Sequence, residues 1–114
     1  MNLQKVATLF AVVGAVAVCA MFGVPSSYAS PPAPTTITVK NFMFTPTSAT
    51  ITAGATVTWV NEDDEPHTVV SDTGVFHSSA MDTHETFSFE FDKPGTYHFI
   101  CSIHPQMVGT VVVQ

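Results

Sequence analysis

The heptapeptide Cys101-Ser102-Ile103-His104-Pro105-Gln106-Met107 places a thiol, an imidazole and a thioether at the spacing C-x2-H-x2-M. Each is a metal donor, and together they favour one metal. Thiolate and thioether are soft donors that suit copper, above all Cu(I), while imidazole suits Cu(II) as well. Two His and one Cys with a long, weak Met is the donor set of copper electron-transfer centres. Such a set lies between the tetragonal nitrogen and oxygen sites of Cu(II) and the low-coordinate soft sites of Cu(I), so little rearrangement accompanies a change of oxidation state. The loop holds three of the four donors. A second His must come from elsewhere, and His67 is the leading candidate.

Each of these residues also has an ordinary reading. Cys101 could be a structural thiol, His104 a surface residue, and His67 a satisfied loop histidine. Met107 could fill a gap in the core, a role that suits Met well. The other histidines stand apart. His98 falls on the outward parity of its segment. His77 and His84 flank Met81 in a stretch without clear period, either as solvated loop residues or as an accessory copper-loading site. The run Glu62-Asp63-Asp64-Glu65 reads as a solvated loop, or as a patch that steers a basic partner.

The elements that must position the donors read as strands. Ile37 and Val39 alternate with Thr38 and Lys40, and Phe42 and Phe44 continue that parity up to Pro46. Residues 49–52 and 55–60 flank Ala53-Gly54, with Val57 and Trp59 on one face. The polar loop 61–66 delivers His67 to a strand over 67–70. Thr86 to Phe91 alternates strictly, with Phe87, Phe89 and Phe91 on one face. Asp92-Lys93-Pro94-Gly95 is a turn. In the strand over 96–101, Tyr97, Phe99 and Cys101 share a parity, so the face that buries aromatics also points the thiol inward. Tyr97 is either a tyrosine corner or an ordinary core residue. Residues 108–113 close the chain. Roughly seven short strands and no helical period predict an all-β fold, a two-sheet antiparallel Greek-key sandwich.

Not all 114 residues belong to that domain. Residues 1–29 read as a secretory signal peptide: Lys5, an apolar run from Val6 to Val24, then Ser27-Tyr28-Ala29 with small residues at the −3 and −1 positions of a cleavage site. An uncleaved membrane anchor is the competing reading, because a run of about 20 apolar residues spans a bilayer. A lipoprotein centred on Cys19 is disfavoured by the bulk of Val18. Residues 30–36 form a Pro-rich leader, and 37–114 the domain. Export places the protein in the periplasm or another extracytoplasmic lumen. Beyond residue 29 nine acidic residues face only Lys40 and Lys93, which argues against nucleic acid. Cys101 is then the one cysteine left, without an intramolecular disulfide partner.

These stretches together resemble the cupredoxins, the blue copper proteins. The matching segments are Val57-Thr58-Trp59-Val60-Asn61 to Pro66-His67, Phe87 to Phe91, Asp92-Lys93-Pro94-Gly95-Thr96-Tyr97 through Cys101 to Met107, and Gly109 to Val113. The short ligand loop resembles the amicyanin-like and plastocyanin-like group. The resemblance implies one type 1 copper, with His67, Cys101 and His104 in a near-trigonal plane and Met107 axial. It also implies eight strands, so an eighth is expected between Ser71 and Met81. Two departures stand out. Thr68 occupies a position where the family often has Asn to tie the strand to the Cys loop. Ile103 replaces a Pro, and its N–H, if aimed at the Cys101 sulfur, would raise the redox potential.

Two function classes follow. One is a soluble, exported, monomeric carrier of single electrons between redox partners such as a c-type cytochrome, a dehydrogenase or a membrane redox complex, with no small-molecule substrate. The other is a copper-binding module for storage, delivery or sensing. A closed four-donor site favours the carrier, because cargo sites need easy ligand exchange. An enzyme is disfavoured, because catalytic metal sites keep an open position. Electrons are expected to pass at the edge of His104, between apolar Ile103 and Pro105, with Met43 nearby if residues 42–44 reach the same end.

Overall fold

The computed structural model describes residues 14, 15, 23 and 30–114. The expected signal peptide, 1–29, therefore lies almost wholly outside the described residues. The domain has eight strands: β1 (Thr35–Lys40), β2 (Met43–Thr45), β3 (Ser48–Ile51), β4 (Ala55–Asn61), β5 (Val70–Ser71), β6 (Thr86–Phe91), β7 (Gly95–Ile100) and β8 (Val108–Val113). They form two four-stranded sheets, ordered β2-β1-β4-β6 and β3-β8-β7-β5. The two-sheet, all-β sandwich read from the sequence is present. Its pairing is not antiparallel throughout. Each sheet contains one parallel pair, β1 with β4 and β3 with β8. Alternation along a strand tells which face is buried, but it does not tell the direction of the neighbour.

The eighth strand also lies elsewhere than expected. Between Ser71 and Met81 there are only single bridges, Val70 to His77 and His67 to Met81. The strand expected over 67–70 shortens to Val70–Ser71. The additional strand is β2, which pairs with β1 in a tight hairpin, Lys40 opposite Met43. Its two loop residues, Asn41 and Phe42, both have left-handed backbones, at φ 52° and 56°. A two-residue hairpin of type I′ requires positive φ at both positions, and Asn suits the first. A bulky residue such as Phe is a true outlier at the second.

The core follows from parity. Ala55, Val57, Trp59 and Asn61 of β4 are all buried, and so are Gly109, Val111 and Val113 of β8. Trp59 is enclosed by aromatic rings, with centroids from Phe99 at 5.4 Å to Phe91 at 6.4 Å. Such offset and edge contacts add about 0.5–1.5 kcal/mol per pair to the burial of area. Phe99 lies so close to β8 that a Cβ at Gly109 would collide with its ring. At the far end, the Tyr97 hydroxyl donates to the Lys93 carbonyl at 2.7 Å, which makes Tyr97 a tyrosine corner. These contacts hold β7 in place, and β7 delivers Cys101.

Candidate metal centre

Cys101 follows directly on β7 and is fully buried. Its loop is short and closed on itself. The Cys101 N–H donates to the Met107 carbonyl at 3.1 Å, and the Met107 N–H to the His104 carbonyl at 2.9 Å. The Met107 side chain is buried. The loop thus folds all three of its donor residues back toward the end of the sandwich.

His67 arrives from the loop after β4, and Asn61 shapes that loop. The Asn61 side-chain amide donates to the Glu65 and Met81 carbonyls, both at 2.8 Å, while its oxygen accepts from the Asp63 N–H at 2.9 Å. The His67 backbone bridges to Met81 in both directions. His67 is fully buried. The Nδ1 atoms of His67 and His104 each lie 3.8 Å from the Cys101 sulfur. The donor atoms of His67, Cys101 and His104 all lie within 4.8 Å of one another, and among the described residues no other cluster of three such donors occurs. A soft sulfur beside two imidazole nitrogens, with no disulfide partner for Cys101 among the described residues, fits copper.

Thr68 ties the two ligand segments together, as its position suggested. Its N–H points at the Cys101 sulfur from 3.4 Å, and its hydroxyl lies 3.8 Å from the same atom. The hydroxyl also accepts from the Ser102 N–H at 2.8 Å and pairs with the Ser102 hydroxyl at 2.7 Å. The sulfur therefore receives its donors from Thr68. No hydrogen bond from the Ile103 N–H reaches it among the described residues.

Two residues of the site escaped the sequence reading. Asp63 Oδ2 lies 2.9 Å from His67 Nε2. The same carboxylate accepts the Asn41 N–H at 2.6 Å and the Phe42 N–H at 2.9 Å. Burial pushes the Asp63 carboxyl up, but the Phe42 and Asn41 N–H groups and the His67 ring outweigh it, and the carboxyl titrates below the usual aspartate value. Phe42 sets its ring edge-on to both imidazoles, 5.3 Å from His67 and 5.0 Å from His104. The one available clue to Asp63 was its place four residues before His67.

The remaining histidines stay apart. His77 and His84 are exposed, while Met81 belongs to the core. His98 is exposed and bonded to Thr110 at 3.0 Å. Around His104, Phe42, Met43, Ile103 and Val108 are exposed apolar side chains. Residues 42–44 do reach this end: with Thr47, Gln106, Met107 and Val108 they line a shallow cavity of about 220 Å³.

A Cys-His-His cluster with Cys101 and His67 buried and His104 half-buried, at one end of an eight-stranded Greek-key sandwich, is a cupredoxin arrangement, and the model of the cupredoxin-like domain matches residues 12–113; the chain belongs to that family. Among curated relatives it is similar to amicyanin-alpha of Methylorubrum extorquens, 36% identical over 90 residues that cover 75% of this chain and 76% of the relative. It is also similar to plastocyanin of Scenedesmus fuscus, 40% identical over 85 residues that cover 63% of this chain and 87% of the relative. Among solved structures, a Cu(I) form of an amicyanin variant superposes with a TM-score of 0.68 at 28% identity, over 71% of this chain and 82% of that one. A purple cupredoxin from Nitrosopumilus maritimus gives 0.65 at 31% identity, over 70% of this chain and 99% of that one.

Proposed function

We propose that this protein carries single electrons between redox partners through one type 1 copper, which His67, Cys101, His104 and Met107 would hold. The observation that carries the reading is the convergence on one buried sulfur of two Nδ1 atoms, one from the buried His67 and one from the half-buried His104, each at 3.8 Å. Bound there, copper supplies one-electron exchange between Cu(II) and Cu(I). The chain supplies the rest. The closed Cys101–Met107 loop and the Asn61-braced loop fix the donors from two sides, so little rearrangement accompanies a change of charge. Thr68 draws electron density from the sulfur through its N–H. The buried ring of His67 and the core beneath Cys101 keep water out.

His104 is the route in and out. It is half-buried, and its apolar surroundings suit a partner that docks closely and leaves quickly, as a small transient interface requires. Glu62, Asp64 and Glu65 are exposed and would speed encounter with a basic partner such as a c-type cytochrome. We do not read the chain as an enzyme. A copper-containing nitrite reductase from Thermus scotoductus is similar in fold, with a TM-score of 0.68 at 33% identity, but the match covers 23% of that chain. A four-donor centre with no open position leaves no place for substrate. In this reading residues 1–29 direct export to the periplasm or another lumen; the leader, expected over 30–36, ends at Pro34 and the domain begins at Thr35 rather than residue 37, because Thr35 and Thr36 already pair with β4.

The test is a reversible redox titration of the purified, copper-loaded protein, followed by stopped-flow transfer to c-type cytochromes. One-electron cycling with transfer supports the carrier. Copper that exchanges freely with chelators and passes no electrons favours storage or delivery.

A further inference from the structure

Asp63 does more than add charge to the acidic run. Its carboxylate gathers three N–H donors from two segments: Nε2 of His67, and the backbone N–H groups of Asn41 and Phe42. The last two form the β1–β2 hairpin loop, where Phe42 adopts a left-handed backbone at φ 56°. For a bulky residue this conformation is strained and persists only where the surroundings hold it. Asp63 supplies two of the hydrogen bonds that hold it, and the strained turn brings the Phe42 ring against both His67 and His104. On the other side, a carboxylate at Nε2 makes that nitrogen the N–H of the ring. The Nδ1 lone pair is then left facing the Cys101 sulfur, where a metal would sit.

Resting on the copper reading above, we propose that Asp63 is a positioning residue of the centre. It holds His67 in its metal-binding tautomer, raises the basicity of that imidazole, and locks the Phe42 cover over both rings. A more basic ligand favours Cu(II) over Cu(I), so Asp63 holds the reduction potential down.

The experiment has a metal-free and a copper-loaded arm, with Asp63→Ala, Asp63→Asn and, as an equal change of charge on an exposed neighbour, Asp64→Asn. In the metal-free parent, 15N-resolved proton spectra should show a slowly exchanging, low-field Nε2–H on His67. In Asp63→Ala that proton should lose its low-field shift and exchange with water, and the Asn41 and Phe42 amides should exchange faster. In the copper-loaded arm, Asp63→Asn should lose about tenfold more affinity for Cu(II) than for Cu(I), which is a rise of about 59 mV in potential. Asp64→Asn should move the potential far less. The proposal is overturned if the His67 Nε2–H of Asp63→Ala matches the parent, or if Asp63→Asn and Asp64→Asn shift the potential equally. If Asp63→Ala does not fold, the isosteric Asp63→Asn decides through the Asn41 amide and the potential. A parent that binds no copper would refute the electron-carrier reading, while the metal-free spectra would still decide the role of Asp63.

Discussion

Two imidazoles face the same sulfur at the same distance, 3.8 Å, and differ in everything behind the ring. His67 is fully buried, its backbone bridged to Met81 and its far nitrogen held by Asp63. His104 is half-exposed, and among the described residues no protein group bonds its far nitrogen. It is flanked instead by exposed Ile103 and Phe42. The difference divides the labour of the centre. On the copper reading proposed above, one side fixes geometry and ligand basicity, and the other leaves a conducting edge open to a partner. Phe42 touches both rings and joins the two sides.

The sharpest way to break this comparison is to remove the enclosed ring. His67→Ala should abolish the type 1 visible spectrum, while His77→Ala and His84→Ala, on exposed loop positions, should leave it intact. If only the His84 variant lost its colour, the enclosed side would be wrongly assigned. A smaller effect is expected on the open side. Pro105→Glu places a charge in the apolar surround of His104, and should slow transfer to every partner by ~10-fold or more, even at high salt. The spectrum should stay unchanged, because the change lies outside the donor set. Rates that ignored Pro105→Glu would move the electron port away from His104.

The acidic run supplies a milder test. Glu62, Asp64 and Glu65 are exposed, whereas Asp63 is engaged at His67. Converting the three exposed acids to amides should slow association with a basic cytochrome by up to ~10-fold at low salt and flatten its salt dependence. Spectrum and potential should hardly move. The smallest effect is expected at the opposite end of the sandwich, where both rings should be indifferent. Glu90 lies beside Asp92, which raises its carboxyl above the usual value, first by hydrogen bonding and then by like charge. A raised folded-state value stabilises the protein at acid pH and loses that contribution as pH rises through it. Glu90→Gln should therefore raise the urea midpoint slightly at pH 7 and leave it unchanged near pH 3, with the visible spectrum constant. A loss of stability at pH 7 would contradict the repulsion.

Much of this was legible in the residues. Side-chain chemistry is local, so Cys101, His104 and Met107 announced themselves by type and spacing. The burial of Phe99 and Cys101 followed from parity, whereas the turn before Tyr97 left a corner and an ordinary core role open until the hydroxyl's bond to Lys93 decided it. What stayed hidden depends on contacts across the chain. Asp63 reads as one acid among four, and its role appears only when a hairpin some twenty positions earlier offers it two N–H groups. That hairpin was hidden in turn. Asn41-Phe42 lacks the glycine that usually marks a type I′ loop, so the run from Ile37 to Phe44 read as one strand. The parallel pairs were invisible for a similar reason, because direction is set by the fold as a whole.

All of this rests on Cys101 as a copper-bound thiolate between the two imidazoles. The most direct test is the visible absorption of residues 30–114 loaded with Cu(II), beside Cys101→Ser loaded the same way. One copper per chain with an intense thiolate-to-copper charge-transfer band, absent in Cys101→Ser, is the predicted result. A colourless Cu(II)-loaded protein with Cys101 intact would contradict it.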